Sequence, residues 1–172
     1  MKVYEVIAFA QRLRPGNEYD TDIIERWISE CDASIQLEVA RKRLGDIRPL
    51  RPPVWENRAY KAGDKVSESV SGKWRVYMAL MDMDGTEAPA TDREHWTEVP
   101  YETYVGFPHD RLYYLHVIAM MDYANMEYDK YANDRALYEA AIDEYSKWWQ
   151  RQYSNTYTEG SDQYEADIRG TK

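Results

Sequence analysis

The amino-acid sequence predicts a mainly α protein, a helical bundle of about four helices with an inserted small antiparallel β module. Near both ends of the 172-residue chain, apolar residues recur every three or four positions, as on the buried face of a helix. In the middle, prolines, turn residues and short alternating runs replace that pattern. We therefore expect helices in residues 1–50 and 100–153, a β module in residues 51–99, and a flexible tail in residues 154–172.

The first helix is predicted over Val3–Leu13, where the apolar residues have helical spacing. The sequence Arg-Pro-Gly-Asn at positions 14–17 then stops it, because proline and glycine interrupt helices. Asp20, Thr21 or Asp22 can cap the second helix, since each side chain accepts a hydrogen bond from the backbone of a first helical turn.

The second helix has an apolar face that starts at Ile24 and is predicted to end near Gly45. This end places Arg41, Lys42 and Arg43 in its last turn. Cations are favourable there because the exposed carbonyl groups carry partial negative charge.

The β module is predicted to contain three short strands. A turn at Tyr60–Asp64 precedes the first strand, Val66–Val70. The second strand, Trp74–Met81, alternates apolar and polar residues, and the third covers Trp96–Val99. Residues Asp82–Pro89 are predicted to form a polar loop.

Helical spacing returns at about His109 and continues to Tyr131. Asn133 or Asp134 is predicted to cap a final helix over Arg135–Tyr153. The apolar face of this last helix comprises Leu137, Ala141, Ile142, Tyr145 and Trp149.

Composition excludes several classes of protein. The net charge of −9 argues against general nucleic-acid binding, which requires a basic surface. Cys31 is the only cysteine, so an intramolecular disulfide is impossible. The N-terminal residues lack the apolar stretch of a signal peptide, and no apolar run approaches the length of a bilayer span. We expect a soluble protein made in the cytoplasm and no membrane association.

Tyrosines are unusually dense in the C-terminal helices. Seven of them cannot all face one bundle core, so some must meet solvent or another subunit. We favour contacts between subunits. These residues are Tyr113, Tyr114, Tyr123, Tyr128, Tyr131, Tyr138 and Tyr145.

The helical parts of the chain resemble the head–tail connector (neck or adaptor) proteins of tailed bacteriophages. The first two stretches that carry the resemblance are LRPGNEYD and IIERWISECDASIQLEV. The other two are YETYVGFPHDRLYYLHVIAMMDYANMEYDKYAND and RALYEAAIDEYSKWW. Two positions depart from the pattern: Ala33 and Met126 stand where glycine is common, and neither is expected to upset a helix.

The resemblance implies a virion structural protein at the head–tail junction. Such a protein forms an oligomeric ring, commonly a dodecamer, under the portal protein. The ring extends the channel through which genomic DNA passes without sequence-specific binding. Its far side presents a surface to the next neck or tail-completion protein. No catalytic residue, metal or cofactor is implied, so we expect a protein that is not an enzyme.

The β module resembles small carbohydrate-binding modules of the chitin-binding type. The matching residues are Trp55, Tyr60, Gly63, Asp64, Val66, Gly72, Lys73, Trp74, Tyr77, Ala79, Leu80, Pro89 and Trp96. Chitin binders of this type often carry adjacent exposed aromatics where Leu80 and Met81 stand here. A sugar needs a flat aromatic face on which to stack, so this departure weakens the case for saccharide binding.

Four rings of the module have two interpretations. Trp55, Tyr60, Tyr77 and Trp96 either form a sugar-binding platform or make up the core of a module too small to bury much else. We favour the core. Trp74 is predicted with less support and could face outward.

Metal binding and thiol chemistry find no support in the sequence. Asp82 and Asp84 are spaced like the start of a calcium loop, but Arg93 stands where the closing glutamate is required. The three histidines, His95, His109 and His116, lack the spacing of a metal site. Cys31 lies on the apolar face of the second helix and is predicted to be a buried small hydrophobe.

Arg41, Lys42 and Arg43 form the only basic cluster, together with two arginines downstream, Arg48 and Arg51. The cluster either lines the DNA channel or faces an acidic portal surface, or else it is a solvated helix end. These interpretations stay open.

The C-terminal tail contains Tyr157, Tyr164 and Ile168 among polar residues. Either it is a plain disordered end, or it docks on a neighbouring portal subunit, for example by adding a strand to a sheet.

Three functions compete on these observations. The first is a ring-forming head–tail connector. The alternative is a glycan-binding virion decoration protein that acts through the β module. A glycan hydrolase would need two placed carboxylates in a cleft, and the sequence singles out no such pair.

Overall fold

A computed structural model describes residues 1–16, 19–84 and 87–153. Helices dominate with 49% of the residues, and short antiparallel strands account for 16%. The helices are α1 (Val3–Leu13), α2 (Thr21–Glu38), α3 (Arg111–Ala124) and α4 (Tyr128–Tyr153). The strands are β1 (Ala59–Tyr60), β2 (Lys65–Val70), β3 (Lys73–Ala79), β4 (Met83–Asp84) and β5 (Trp96–Val99). Among the described residues, no helix is long and apolar enough to cross a membrane.

Helix α3 lies at the centre of the helical body and packs against α1, α2 and α4. Its residues Leu112, Tyr113, Val117 and Met121 are fully buried. The first two helices contribute mainly aliphatic side chains to the same core. These are Val3, Val6, Ile7 and Ala10 from α1, and Ile24, Ile28, Cys31 and Ile35 from α2. The predicted burial of Cys31 is confirmed, since its side chain is 2% exposed.

A buried carboxylate, Asp32, ties three segments together. Asp32 is 1% exposed and accepts hydrogen bonds from the Tyr113 hydroxyl at 2.5 Å and from the Tyr104 backbone N–H at 2.7 Å. The Tyr113 oxygen in turn accepts the backbone N–H of Val105 at 2.9 Å. Burial raises the pKa of Asp32, and these donors oppose that rise. The network thus fixes the segment before α3 against both α2 and α3.

Helix α2 ends at Glu38, well before the predicted end near Gly45. Arg41 adopts a left-handed conformation with φ of 51°, which is incompatible with a right-handed α-helix. The side chain of Gln36 bonds the backbone of Arg48 twice, at 2.9 Å through each amide atom. The chain therefore folds back beside α2, and the prediction that Arg41, Lys42 and Arg43 lie in its last turn is wrong.

The boundary between α3 and α4 also differs from the prediction. Helix α3 ends at Ala124, and Met126 adopts a left-handed conformation with φ of 60°. Helix α4 then begins at Tyr128, so neither Asn133 nor Asp134 caps it. The predicted continuation of this helix to Tyr131 is wrong. Met126 lies in the break between the two helices, where a glycine would be unstrained.

Arg14 holds the two C-terminal helices to the end of α1. Its guanidinium bonds both carboxylate oxygens of Asp122 at 2.8 Å and also pairs with Asp134. The side chain of Asp122 is fully buried, and the Arg14 guanidinium holds its pKa below the usual value. Asp134 therefore serves as an ion-pair partner from within α4, which local sequence patterns could not reveal.

The β module has its own small core. Strands β2, β3 and β5 form an antiparallel sheet with β3 in the middle, and the two-residue strands β1 and β4 pair separately. Tyr60 and Trp96 pack edge to face, with ring centroids 5.0 Å apart. Tyr77 is buried in the same cluster, and Trp55 packs against it half-buried. The predicted strands are present, whereas β1 and β4 are too short for their periodicity to show in the sequence.

Arg51 connects the β module to the helical body. Its guanidinium lies 4.1 Å from the ring centroid of Trp74, and its Nε lies 3.5 Å from a carboxylate oxygen of Glu25 in α2. Tyr101 donates a hydrogen bond to the same carboxylate. Trp74 is half-buried beneath this arginine, so Arg51 belongs to the junction and lies apart from the predicted basic cluster.

The Asp32 network predicts a specific loss of stability. In Tyr113→Phe, the carboxylate loses its hydroxyl donor and the buried Val105 N–H loses its acceptor. We expect the free energy of unfolding to fall by about 1.5–3 kcal/mol, measured by urea denaturation. The neighbouring Tyr114→Phe provides the control, because Tyr114 is half-exposed and stays outside this network. Equal losses in both variants would contradict the role assigned to Asp32.

The helix break predicts opposite effects for two glycine substitutions. Met126→Gly relieves a left-handed residue, so we expect the free energy of unfolding to rise by about 0.5–1 kcal/mol. Ala33→Gly lies inside α2 and should lower it by about 1 kcal/mol. Thermal and urea denaturation measure both effects. A loss of stability in Met126→Gly would refute the strain at this position.

Candidate interaction surfaces

One surface patch of exposed and half-buried residues combines cations with aromatic rings, and we call it the basic–aromatic surface. It comprises Lys42, Arg48, Tyr104, Trp149 and Tyr153. The Lys42 ammonium lies 4.7 Å and the Arg48 guanidinium 5.9 Å from the ring centroid of Tyr104. The ring of Tyr104 lies 6.3 Å from that of Trp149, which makes a tilted contact with Tyr153 at 4.1 Å between ring centroids. These cation–π and ring contacts form one continuous strip.

Buried interactions fix the positions of this strip. Tyr104 is held through its backbone N–H by Asp32. Gln36 binds the backbone of Arg48 and lies 3.3 Å from the Lys42 ammonium. Trp149 belongs to the last turns of α4, where Tyr145 packs against the core. These contacts hold Tyr104, Arg48 and Trp149 in place on the helical body.

The predicted basic cluster is divided in the structure. Lys42 leans on Tyr104, whereas Arg41 and Arg43 lie exposed in the loop after α2. Arg48 joins Lys42 at the same ring. Within the described parts of the chain, none of these four residues forms an ion pair. Lys42 and Arg48 donate hydrogen bonds to uncharged oxygens, those of the Gln36 amide and the Glu102 backbone.

A second exposed patch, which we call the tyrosine ridge, lies where α3 meets α4. It comprises Tyr123, Met126, Tyr128 and Tyr131. Tyr123 is 53%, Met126 72% and Tyr128 59% exposed. The Tyr123 ring lies 6.2 Å from that of Tyr128 and 5.2 Å from that of Tyr131. Exposed rings that already pack on one another lose little side-chain freedom on binding, so the ridge is suited to a protein interface.

The remaining tyrosines of the C-terminal helices divide by burial. Tyr113, Tyr138 and Tyr145 are buried in the helical core, and Tyr114 is half-buried. Sequence spacing predicted that the seven tyrosines would divide, but the break at Met126 decides which of them form the ridge. Leu137, predicted to lie on the apolar face of the last helix, is instead 55% exposed.

A cavity of about 220 Å³ opens between α2, α3 and α4, beside Cys31, His116 and Tyr138. Burial raises the pKa of the Cys31 thiol to about 12, and its Sγ lies 3.7 Å from the Tyr138 oxygen. Burial lowers the pKa of His116 to about 4, and both of its ring nitrogens lack a hydrogen-bond partner among the described residues. These shifts favour the neutral forms of both groups, which suits packing.

The other candidate residues lie apart from one another. His95 bonds Asp92 within the β module, and His109 packs between Tyr145 and Trp148. The carboxylate of Asp82 accepts the backbone N–H of Ala62 at 2.8 Å. In the described parts of the chain, no group of three metal-binding side chains comes together.

Gly63 occupies a turn of the β module with φ of 90°, and its N–H donates to the carbonyl of Ala79 at 2.9 Å. A residue with a side chain would be strained there. The tail residues Tyr157, Tyr164 and Ile168 lie outside the described residues.

Comparison of this chain with protein-family models, with curated proteins and with solved structures finds no match.

The buried imidazole predicts a specific pH dependence. The folded protein holds the pKa of His116 at about 4, below the value of 6.5 for a free histidine. As the pH falls from 6.5 to 4, the unfolded chain gains a proton that the folded chain refuses, so stability falls by up to about 3 kcal/mol. We expect His116→Phe to lose less stability than the wild type between pH 7 and 4.5, measured by urea denaturation. Parallel pH profiles would refute this assignment.

The burial of its thiol predicts that Cys31 reacts slowly with thiol reagents. With a pKa of about 12 and 2% exposure, it should resist a thiol-reactive disulfide at pH 8 and react fully in urea. The variant Asn57→Cys, at an exposed loop position, provides the control and should label within minutes. Labelling of the native wild type at the same rate would contradict the burial of Cys31.

Proposed function

We propose that this chain is a ring-forming head–tail connector of a tailed bacteriophage, with a helical bundle as its body and the β module as an insertion. The observation that carries the proposal is the presence of two chemically different surfaces at opposite ends of one helix, α4. The tyrosine ridge lies at the start of α4 and the basic–aromatic surface at its end. At 26 residues, α4 is about 39 Å long, so one contact cannot cover both.

Two unlike surfaces suit a ring. A head-to-tail contact joins different patches on neighbouring subunits, and repeating it through a closing rotation gives a cyclic assembly, for which we propose a dodecamer. We assign the tyrosine ridge to contacts between subunits. Each contact is individually weak, and many of them are made at once around the ring.

The charge of the chain fits a DNA channel. A net charge of −9 lets genomic DNA pass without adhering or being read in sequence. We assign the basic cluster of Arg41, Lys42 and Arg43 to the portal-facing side or to the channel. The opposite side meets the next neck or tail-completion protein. In this proposal the protein acts in the virion at the head–tail junction, is made in the host cytoplasm, and is not an enzyme.

The glycan-binding alternative has less support. Tyr60, Tyr77 and Trp96 lie in the core of the β module, where a sugar cannot stack on them. The exposed residues at the end of β3 are Leu80 and Met81, which are 48% and 46% exposed and offer no aromatic face. We therefore assign the aromatic motif of this module to its fold.

The proposal predicts that the full chain forms rings on portal assemblies. Light scattering gives the mass with and without portal, and negative-stain microscopy shows the shape. A chain that stays monomeric and ignores portals would overturn the proposal, and binding of that chain to chitin would favour the alternative.

The tyrosine ridge can be tested in the same assay. Tyr128→Lys should weaken each subunit contact about tenfold, which corresponds to about 1.4 kcal/mol, and rings should become rare. Tyr4→Lys is the matched control, because Tyr4 is 62% exposed but lies on α1 away from the ridge. Equal ring formation by both variants would remove the ridge from the interface.

A further inference from the structure

We propose that the acidic part of the tail, residues 157–167, binds the basic–aromatic surface of its own chain. The sequence YTEGSDQYEAD contains four carboxylates, Glu159, Asp162, Glu165 and Asp167, and no lysine or arginine. It begins only a few residues after Tyr153, which is itself part of that surface. The inference does not depend on the proposed ring.

Charge complementarity supports this occupant. Lys42 and Arg48 lie on the surface, Arg41 and Arg43 lie exposed in the same loop, and none of them is ion-paired within the described residues. Opposite charges attract appreciably within about 10 Å, the screening length at moderate salt. The acidic segment thus supplies negative charge to balance the cations of this surface.

The tail is long enough for its first carboxylate to reach Lys42. From Tyr153, the strip runs over ring separations of 4.1 Å to Trp149 and 6.3 Å to Tyr104, and then 4.7 Å to the Lys42 ammonium. Six extended residues span roughly 20 Å, so Glu159 can meet Lys42 without strain in the chain.

The rings of the tail match those of the surface. Tyr157 and Tyr164 flank the first two carboxylates, and an edge or face contact with Tyr104 or Trp149 adds to the ionic attraction. Since the segment offers few apolar side chains, the binding is mainly electrostatic and should weaken in salt.

The tyrosine ridge is a poorer site for the same segment. It lies at the far end of α4, and its neighbours include Glu127 and Asp129. The only cation beside them in sequence, Lys130, is paired with Glu127 at 2.8 Å. An acidic tail would therefore meet like charge there.

Binding of the tail would keep anionic partners off the basic–aromatic surface until the tail leaves. The tail then acts as an intramolecular competitor, and an acidic partner must outbind a segment that is covalently tethered beside it.

A spin label on the full chain tests the proposal. The label is attached to Ser161→Cys, since the buried Cys31 thiol stays unreactive. We expect paramagnetic broadening of the Trp149 indole N–H and of the Lys42 and Tyr104 amides, with the Tyr128 amide unaffected. The broadening should fall severalfold when the four carboxylates are replaced by amides, or in about 0.5 M salt. The amide variant leaves every described residue unchanged, so loss of folding cannot explain its result.

A mixed sample identifies whose tail is bound. Spin-labelled chains without ¹⁵N are combined with unlabelled ¹⁵N chains. If broadening occurs only when the spin label and ¹⁵N are on the same chain, the tail binds its own chain. Broadening in the mixed sample shows that the tail of a second copy is bound, and this overturns the proposal. It is equally overturned by the absence of broadening or by broadening centred on the tyrosine ridge.

Discussion

The buried carboxylate of Asp32 is the interaction on which the arrangement of the helical body and its surface depends. It takes hydrogen bonds from α3 through Tyr113 and from the preceding segment through Tyr104. A carboxylate removed from water is costly unless such donors surround it, so the segments that supply them are held in one arrangement. Because Tyr104 is one of those donors, the same network that closes the core also sets the position of the half-buried ring beneath Lys42 and Arg48.

A second charged contact organises the opposite end of the body. Arg14 satisfies Asp122 at the end of α3 and reaches Asp134 one helix later, which holds the break between α3 and α4 in place. Met126 is held in a left-handed conformation at that break, and the rings on either side of it project together as the tyrosine ridge. Buried charged contacts therefore position the surfaces at both ends of α4.

The β module contributes differently. Most of its aromatic side chains form the core of the module, which is too small to bury much else. Arg51 joins the module to α2, because it contacts Trp74 in the module and Glu25 in the helix. Because Tyr60, Tyr77 and Trp96 are buried, they are not available to bind a partner. The chemistry available to partners is concentrated on the helices, where a basic strip and an aromatic ridge are separated by the length of one helix. The proposed assembly role uses both surfaces.

The sequence by itself determined the elements whose cause is local. Apolar spacing predicted α1, alternation predicted β3, and flanking turn and loop residues marked β2 and β5. The position of Cys31 on an apolar face predicted its burial. Only the tertiary structure decided where helices stop and which side chains meet. Gln36 near the end of α2 bonds the backbone of Arg48, and Asp134 within α4 pairs with Arg14 at the end of α1. The fold also brings together four residues that lie far apart in sequence: Lys42, Arg48, Tyr104 and Trp149. Periodicity reports the environment of one segment, whereas ion pairs and ring stacks between residues far apart in sequence depend on how the whole chain packs.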